Sequence, residues 1–481
     1  MAAEFLGSHG IDLDAEMARI QSEAASPQGT GASVPQEGKV FSGFRNVCLP
    51  NTAADTRWAV TIEGGQIGQI SQHSAEVSSH PSYADGKGAL LAPSLCHPHV
   101  HIDKAFLLSH PKYAHLQIEK GDFQEAMALT GEAKKDFEEL DLLERGQRLI
   151  DESVEAGVTH MRAFVELDAV VGMKCLDAGI KLKRETKAEG RCMVQLCAFA
   201  QLPLFTSTER DGGEKIRGLM QEAARNPDVD VLGSTPYVEA DRQKMEQNVR
   251  WMVDLTGENG KHLDFHLDYH LDPEGEPMVP YVLRTLKESS WKEKAKEKTV
   301  VLGHCTRLTL FEEDELKSMK EDVLDLPISF VGLPTSDLFM MRSEQKNRPT
   351  LNIPHLIKEH GLNASTGINN IGNAFTPYGS CDPLTLACNG VGIYQAGTKE
   401  DAELLYECVS SRARQAIGLA TSSSAGTTGG SLELKTGDEA NLLLFGSEKE
   451  DWRTRRSISE AVYLYDHMRG RTGFLNGRPT S

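Results

Sequence analysis

Residues 90–106 read LLAPSLCHPHVHIDKAF, and the fold follows from them. The run is apolar on both alternating faces and turns polar only at its end. That is the pattern of a strand covered on both sides in a parallel sheet. Further runs of the same kind follow at 158–165, 193–198, 229–235, 263–267, 300–303, 328–331 and 362–365. Amphipathic stretches separate them, for instance 123–149, 173–188 and 245–256, as crossover helices require. Eight strand–helix units predict an α/β protein with a closed (β/α)8 TIM barrel over 92–431 rather than an open sheet. Chemistry in such a barrel belongs at the carboxyl ends of the strands.

Outside the barrel span, residues 39–91 carry short strand-like runs (KVFSGFRNVCL, RWAVTIEGG, QIGQIS) punctuated by Asn, Gly and Ser. The segment 432–481 has the same character. A Ser/Thr/Gly stretch at 421–431 reads as a connector, and residues 1–38 as an extension with one short helical pattern at 11–23. The 481 residues carry 51 Lys+Arg against 70 Asp+Glu, a formal charge of −19. So acidic a surface repels phosphate backbones and anionic lipid, so neither nucleic acid nor membrane is an expected partner. No apolar run reaches the roughly 18–20 residues that cross a bilayer. The first twenty residues lack the basic and apolar regions of a secretory signal. The nine cysteines are scattered without a Cys-x-x-Cys pair, so a reduced, cytoplasmic protein is expected.

The polar residues that close the apolar runs are the candidates for chemistry. His99 and His101 are two apart and share one face of the first strand. His97 shares their parity, one step deeper. The fifth run ends at His266, followed by Asp268 and Tyr269, and the sixth at His304. Four imidazoles on one rim suit a mononuclear hydrolytic metal site, which needs three or four protein ligands and one position for water. A lone histidine at a strand end is more often structural; it is the set and its order that favour a metal. The KEKAKEK run at 292–298 reads as a solvated helix face, and GTTGGS at 426–431 lacks the Lys-Ser/Thr of a phosphate loop. Asp382, in SCDPL at 380–384, suits a helix cap or a pocket wall.

The segments HVHIDKAF (99–106), QLCAFAQ (195–201), FHLDYHLDP (265–273), LGHCT (302–306) and STGINNIGNAFTPYG (365–379) together resemble the amidohydrolase superfamily, in its cytosine deaminase and N-isopropylammelide hydrolase branch. The resemblance spans roughly residues 40–480. It implies a β-sandwich domain built from 39–91 plus 432–481, and hydrolysis or deamination at a C–N bond of a small cyclic nitrogen compound. It implies one divalent metal, Zn²⁺ or Fe²⁺, on His99, His101 and His266, with His304 bonding the attacking water or tetrahedral intermediate. Gln201 would bind a ring carbonyl or amide, and Lys104 would face the pocket, with Asn370 beside it. Self-association into a homo-oligomer is left open.

Two positions depart from the family pattern. A proton-shuttling Glu is replaced by Tyr269, and the strand-eight Asp, both metal ligand and base, by Asn369. An amide cannot act as a base, and a phenol with an ordinary pKa near 10 is the better donor. General acid–base help is worth about 10²–10⁴-fold, so the loss matters. Three readings follow: Asp268, Asp272, Asp103 or His304 takes over; the barrel runs a lyase or isomerase reaction with Tyr269 and Lys104 as donors; or the protein only binds ligand.

Overall fold

The computed structural model describes residues 41–74, 82–206, 211–341, 348–419, 430–446, 453–466 and 470–480. The extension expected over 1–38 lies outside them, as do residues 421–429 of the expected connector. The eight expected strands are present as one parallel sheet in sequence order: Leu95–His101, Val158–Glu166, Met193–Ala200, Val231–Ser234, His262–Leu267, Val300–His304, Ile328–Gly332 and Ala364–Thr366. Strand one meets the end of strand eight through a parallel bridge between Val100 and Asn369. The His101 N–H donates to the Asn369 carbonyl at 2.8 Å, and the Asn369 N–H to the His99 carbonyl at 3.1 Å. These two bonds close the barrel beside the candidate ligands.

Burial explains why these segments are strands. Strands one, two, five, six and seven are buried at every residue, so both faces must be apolar or internally paired. Their outward side chains pack under helices such as Glu139–Glu155, Lys174–Ala188 and Arg242–Glu258. Each fully buried Leu, Val or Phe contributes about 1.5–3 kcal/mol of transfer free energy. Inside the barrel, Phe164, Cys197, Phe199 and Val231 form an apolar plug. In the same interior, Arg162 and Asp264 form a fully buried ion pair at 2.8 Å.

The first strand contains a bulge. His97 pairs with Met161 but Val100 with Ala163, so strand one holds one residue more than its neighbour. An extra residue reverses side-chain parity. His97 therefore leaves the face of His99 and His101, and its Nε2 lies 3.1 Å from both Ser153 Oγ and the Cys381 carbonyl.

Strands from both chain ends form two four-stranded sheets. One contains Gly43–Val47, Trp58–Glu63, Gln66–Gln72 and Tyr83–Asp85; the other Leu91–Pro93, Leu442–Leu444, Thr472–Leu475 and Arg478–Pro479. Phe44, Val60, Ile67, Leu442 and Phe474 pack between them, with the Phe44 and Phe474 rings edge-on at 4.8 Å. Leu91–Pro93 leads directly into the first barrel strand. Among the described residues no helix is long and apolar enough to cross a membrane.

Candidate metal centre

His99, His101 and His266 converge at the barrel mouth, each no more than 2 % exposed. His266 Nε2 lies 2.7 Å from His99 Nε2 and 3.3 Å from His101 Nε2, and one ligand atom from each ring falls within 4.8 Å of the others. Imidazole lone pairs this close repel unless a proton or a cation lies between them. Burial, reinforced by the neighbouring cationic and imidazole groups, holds all three rings well below the ordinary histidine pKa. They are neutral at pH 7, as a ligand must be. Phe164 stacks on His99 at 4.1 Å and Phe199 meets His266 at 4.3 Å, giving the cluster an apolar floor. Gly303 and Gly367 leave space for His99: a Cβ on Gly303 would sit 3.2 Å from its Cε1, and one on Gly367 would sit 3.1 Å from its carbonyl oxygen.

Asn369, on the barrel-closing turn, lines the same cavity as the cluster. Its Nδ2 donates to Ser336 Oγ at 2.9 Å, while its buried Oδ1 has no hydrogen-bond partner. A carbonyl oxygen left unpaired beside three neutral imidazoles is the donor set a divalent ion accepts. The three imidazoles therefore fit a divalent metal.

His304 stands next to this cluster, its ring centroid 5.2 Å from that of His266. Its Nδ1–H donates to Asp337 Oδ1 at 2.7 Å, which fixes the tautomer and leaves Nε2 able to accept a proton. Asp337 is fully buried and also accepts from Thr350 Oγ1 at 2.8 Å. Burial raises its carboxyl pKa, against the bonds from His304 and Thr350. Tyr269 packs on His304 with ring centroids 3.9 Å apart and donates its hydroxyl to the Ser336 carbonyl at 3.3 Å. Burial and the nearby Asp337 push the phenol well above its ordinary value, so it stays protonated. His304 and Asn369 both have left-handed backbone, φ 65° and 64°, a strained conformation of the kind concentrated at functional sites.

Above the cluster a narrow cavity is walled by Phe123, Tyr237, Tyr269 and Phe375, with Lys104, Gln201 and Asn370 supplying polar groups. Lys104 Nζ lies 4.8 Å from the Phe375 ring centroid and is paired with Glu166. Glu166 is shared with Lys134, whose ammonium also meets Asp168 at 3.0 Å. Burial would raise the Glu166 carboxyl, but the two ammonium groups outweigh it and hold it low. Asn370 Oδ1 accepts from Asn373 Nδ2 at 2.8 Å. Sequence reasoning missed Glu166, Lys134, Asp168 and Asp337. Glu166 had a signal, since it is the charged residue that closes the second apolar run.

The alternative carboxylates are otherwise engaged. Asp268, an expected catalytic group, accepts backbone N–H bonds from Met278 at 2.7 Å and Val279 at 3.0 Å, capping the helix Val279–Glu288. It does not line the cavity. Asp103 accepts the Glu166 N–H at 2.8 Å, and Asp272 sits in an exposed turn. Asp382 accepts the Leu384 N–H at 3.0 Å and pairs with Arg471.

A scan against protein-family models finds no match. In sequence the chain is 22% identical over 377 residues to N-isopropylammelide isopropyl amidohydrolase of Pseudomonas sp. (strain ADP), covering 76% of this chain and 82% of that one. In structure it superposes on 5-methylcytosine deaminase from Klebsiella pneumoniae liganded with 5-fluorocytosine. The TM-score is 0.74 at 20% identity, over 91% of this chain and 96% of the other. It shares the fold of that deaminase. N-isopropylammelide isopropylaminohydrolase from Burkholderia multivorans superposes at TM-score 0.68 and 20% identity, over 91% and 97% of the two chains. An adenosine deaminase from Xanthomonas campestris with bound zinc shares the fold at TM-score 0.58 and 14% identity, over 88% of each chain.

Proposed function

We propose that the chain hydrolyses a C–N bond of a small, planar, cyclic nitrogen compound, using one divalent ion, Zn²⁺ or Fe²⁺, held by His99, His101 and His266 with Asn369 Oδ1 as a weak fourth donor. The observation that carries this reading is the convergence of three neutral imidazoles beside a His304–Asp337 pair, under an aromatic slot. A bound ion would supply Lewis acidity that makes water nucleophilic near neutral pH. Nine free cysteines suit a reduced cytoplasmic setting.

The His304–Asp337 pair supports hydrolysis even though Tyr269 and Asn369 replace carboxylates. Asp337 orients the imidazole and stabilises it when charged, leaving Nε2 to take a proton from the attacking water. The same nitrogen then returns the proton to the departing nitrogen. Tyr269, held protonated, would turn its single O–H from the Ser336 carbonyl to the developing oxyanion. Phe123 and Phe375 offer apolar walls to a flat ring, while Lys104, Gln201 and Asn370 bind its polar edge.

Turnover of amino- and oxo-substituted pyrimidines and triazines in ¹⁸O-water tests the reading. Release of ammonia or an amine with one ¹⁸O in the ring product is expected. Turnover without solvent oxygen would replace hydrolysis by lyase or isomerase chemistry, and tight ring binding without turnover would leave a binding protein.

A further inference from the structure

A second group of metal-competent side chains lies on the helical layer and shares no residue with the barrel-mouth cluster. Glu313 opens the helix Glu313–Val323, which follows strand six. His355 lies in the helix Ile353–Lys358, which precedes strand eight, and His360 two residues past its end. His355 Nε2 is 3.1 Å from Glu313 Oε1, and His360 Nε2 is 3.3 Å from Glu313 Oε2. The three donor atoms lie within 4.8 Å of one another, with the imidazole centroids 5.1 Å apart.

Hydrogen bonding accounts for half of this group, since His355 and Glu313 share a bond at 3.1 Å. A carboxylate bridging two imidazoles would satisfy both nitrogens, yet His360, only 2 % exposed, has a buried Nε2 without a hydrogen-bond partner. Ligand bonds of about 2.0–2.2 Å around a tetrahedral ion put donor atoms roughly 3.3 Å apart; each imidazole stands at about that distance from one of the two carboxylate oxygens, so a small shift of the exposed Glu313 brings the three donors around one ion. Glu313 and His355 also border a cavity of about 510 Å³, which leaves room for water as the remaining ligand.

The geometry points to a second divalent-cation site, formed by Glu313, His355 and His360, that takes Zn²⁺ and ties the helix after strand six to the one before strand eight. Two imidazoles and a carboxylate are a donor set zinc accepts. An ion bound only by the folded arrangement stabilises it by mass action.

The test is equilibrium dialysis of metal-free full-length protein against micromolar Zn²⁺, followed by metal analysis and thermal unfolding. The His355→Ala/His360→Ala variant loses one equivalent relative to wild type, and its thermal midpoint responds less to added Zn²⁺. Glu313 is exposed, so Glu313→Gln preserves the fold while weakening the same equivalent. His99→Ala/His101→Ala retains this equivalent, so failure of the barrel-mouth site is read separately. Equal Zn²⁺ content in wild type and in both the Glu313 and the His355/His360 variants, or occupancy only at millimolar Zn²⁺, overturns the site.

Discussion

The two ends of the barrel strands bury histidines in opposite ways. At the carboxyl ends, His99, His101 and His266 face one another, and none of their Nδ1 atoms has a hydrogen-bond partner. Elsewhere on the same strands each buried imidazole has a polar partner outside any histidine cluster, although His97 Nδ1 has none. His97 Nε2 contacts Ser153 and the Cys381 carbonyl, His160 Nδ1 contacts Thr159 Oγ1 at 2.8 Å, and His262 Nδ1 accepts the Thr299 N–H at 3.0 Å. Burial depresses the pKa of both groups. Depressed basicity therefore does not mark the site. What marks it is convergence: the Nε2 atoms of His99, His101 and His266 meet one another rather than a hydroxyl or a carbonyl.

The sharpest way to break this contrast is to exchange one histidine at each end of the strands. His304→Gln is expected to lower kcat about 10²–10⁴-fold, the usual worth of general acid–base help. His262→Gln, at the opposite end of strand five, is expected to leave kcat unchanged while lowering stability. Steady-state kinetics on both variants decides it, and similar kcat values would remove His304 from the proton path.

A smaller effect, on pH dependence, tests the burial that the two groups share. An unfolded histidine takes up its proton near pH 6.5. In the fold, burial lowers His97 to about 4, despite the Cys381 bond, and His160 to about 3. Between pH 6.5 and 4 the unfolded chain binds more protons, so stability falls on acidification, by up to about 1.4 kcal/mol per pH unit per group. Urea unfolding of metal-free protein at pH 7 and pH 5 measures this; unchanged stability would contradict the buried, neutral assignment.

The smallest expected effect comes from Gly303→Ala. The new Cβ meets the His99 ring at 3.2 Å and must turn it from its rotamer, at a cost of about 0.5–1.5 kcal/mol. That converts to roughly a 2–12-fold loss of metal affinity at the barrel mouth, measured by competition with a chelator. Unchanged affinity would show that the His99 ring has room to spare.

The barrel was legible because strands buried on both faces write themselves as apolar runs, and the rim histidines because they interrupt those runs. The bulge that turns His97 away could not be read, since one extra residue changes parity without changing composition. Asp337 was hidden because it lies beyond strand seven, in the helix Pro334–Met340, and reaches His304 only through folding. Asp268 looked catalytic from its place after His266, yet the backbone N–H groups of the next helix claim both its oxygens.

Metal analysis of full-length protein purified without chelator, beside its His99→Ala/His101→Ala variant, tests the barrel-mouth centre most directly. The variant should fold and carry one equivalent of divalent metal fewer than wild type. Equal metal content in the two proteins would contradict a centre built on these histidines.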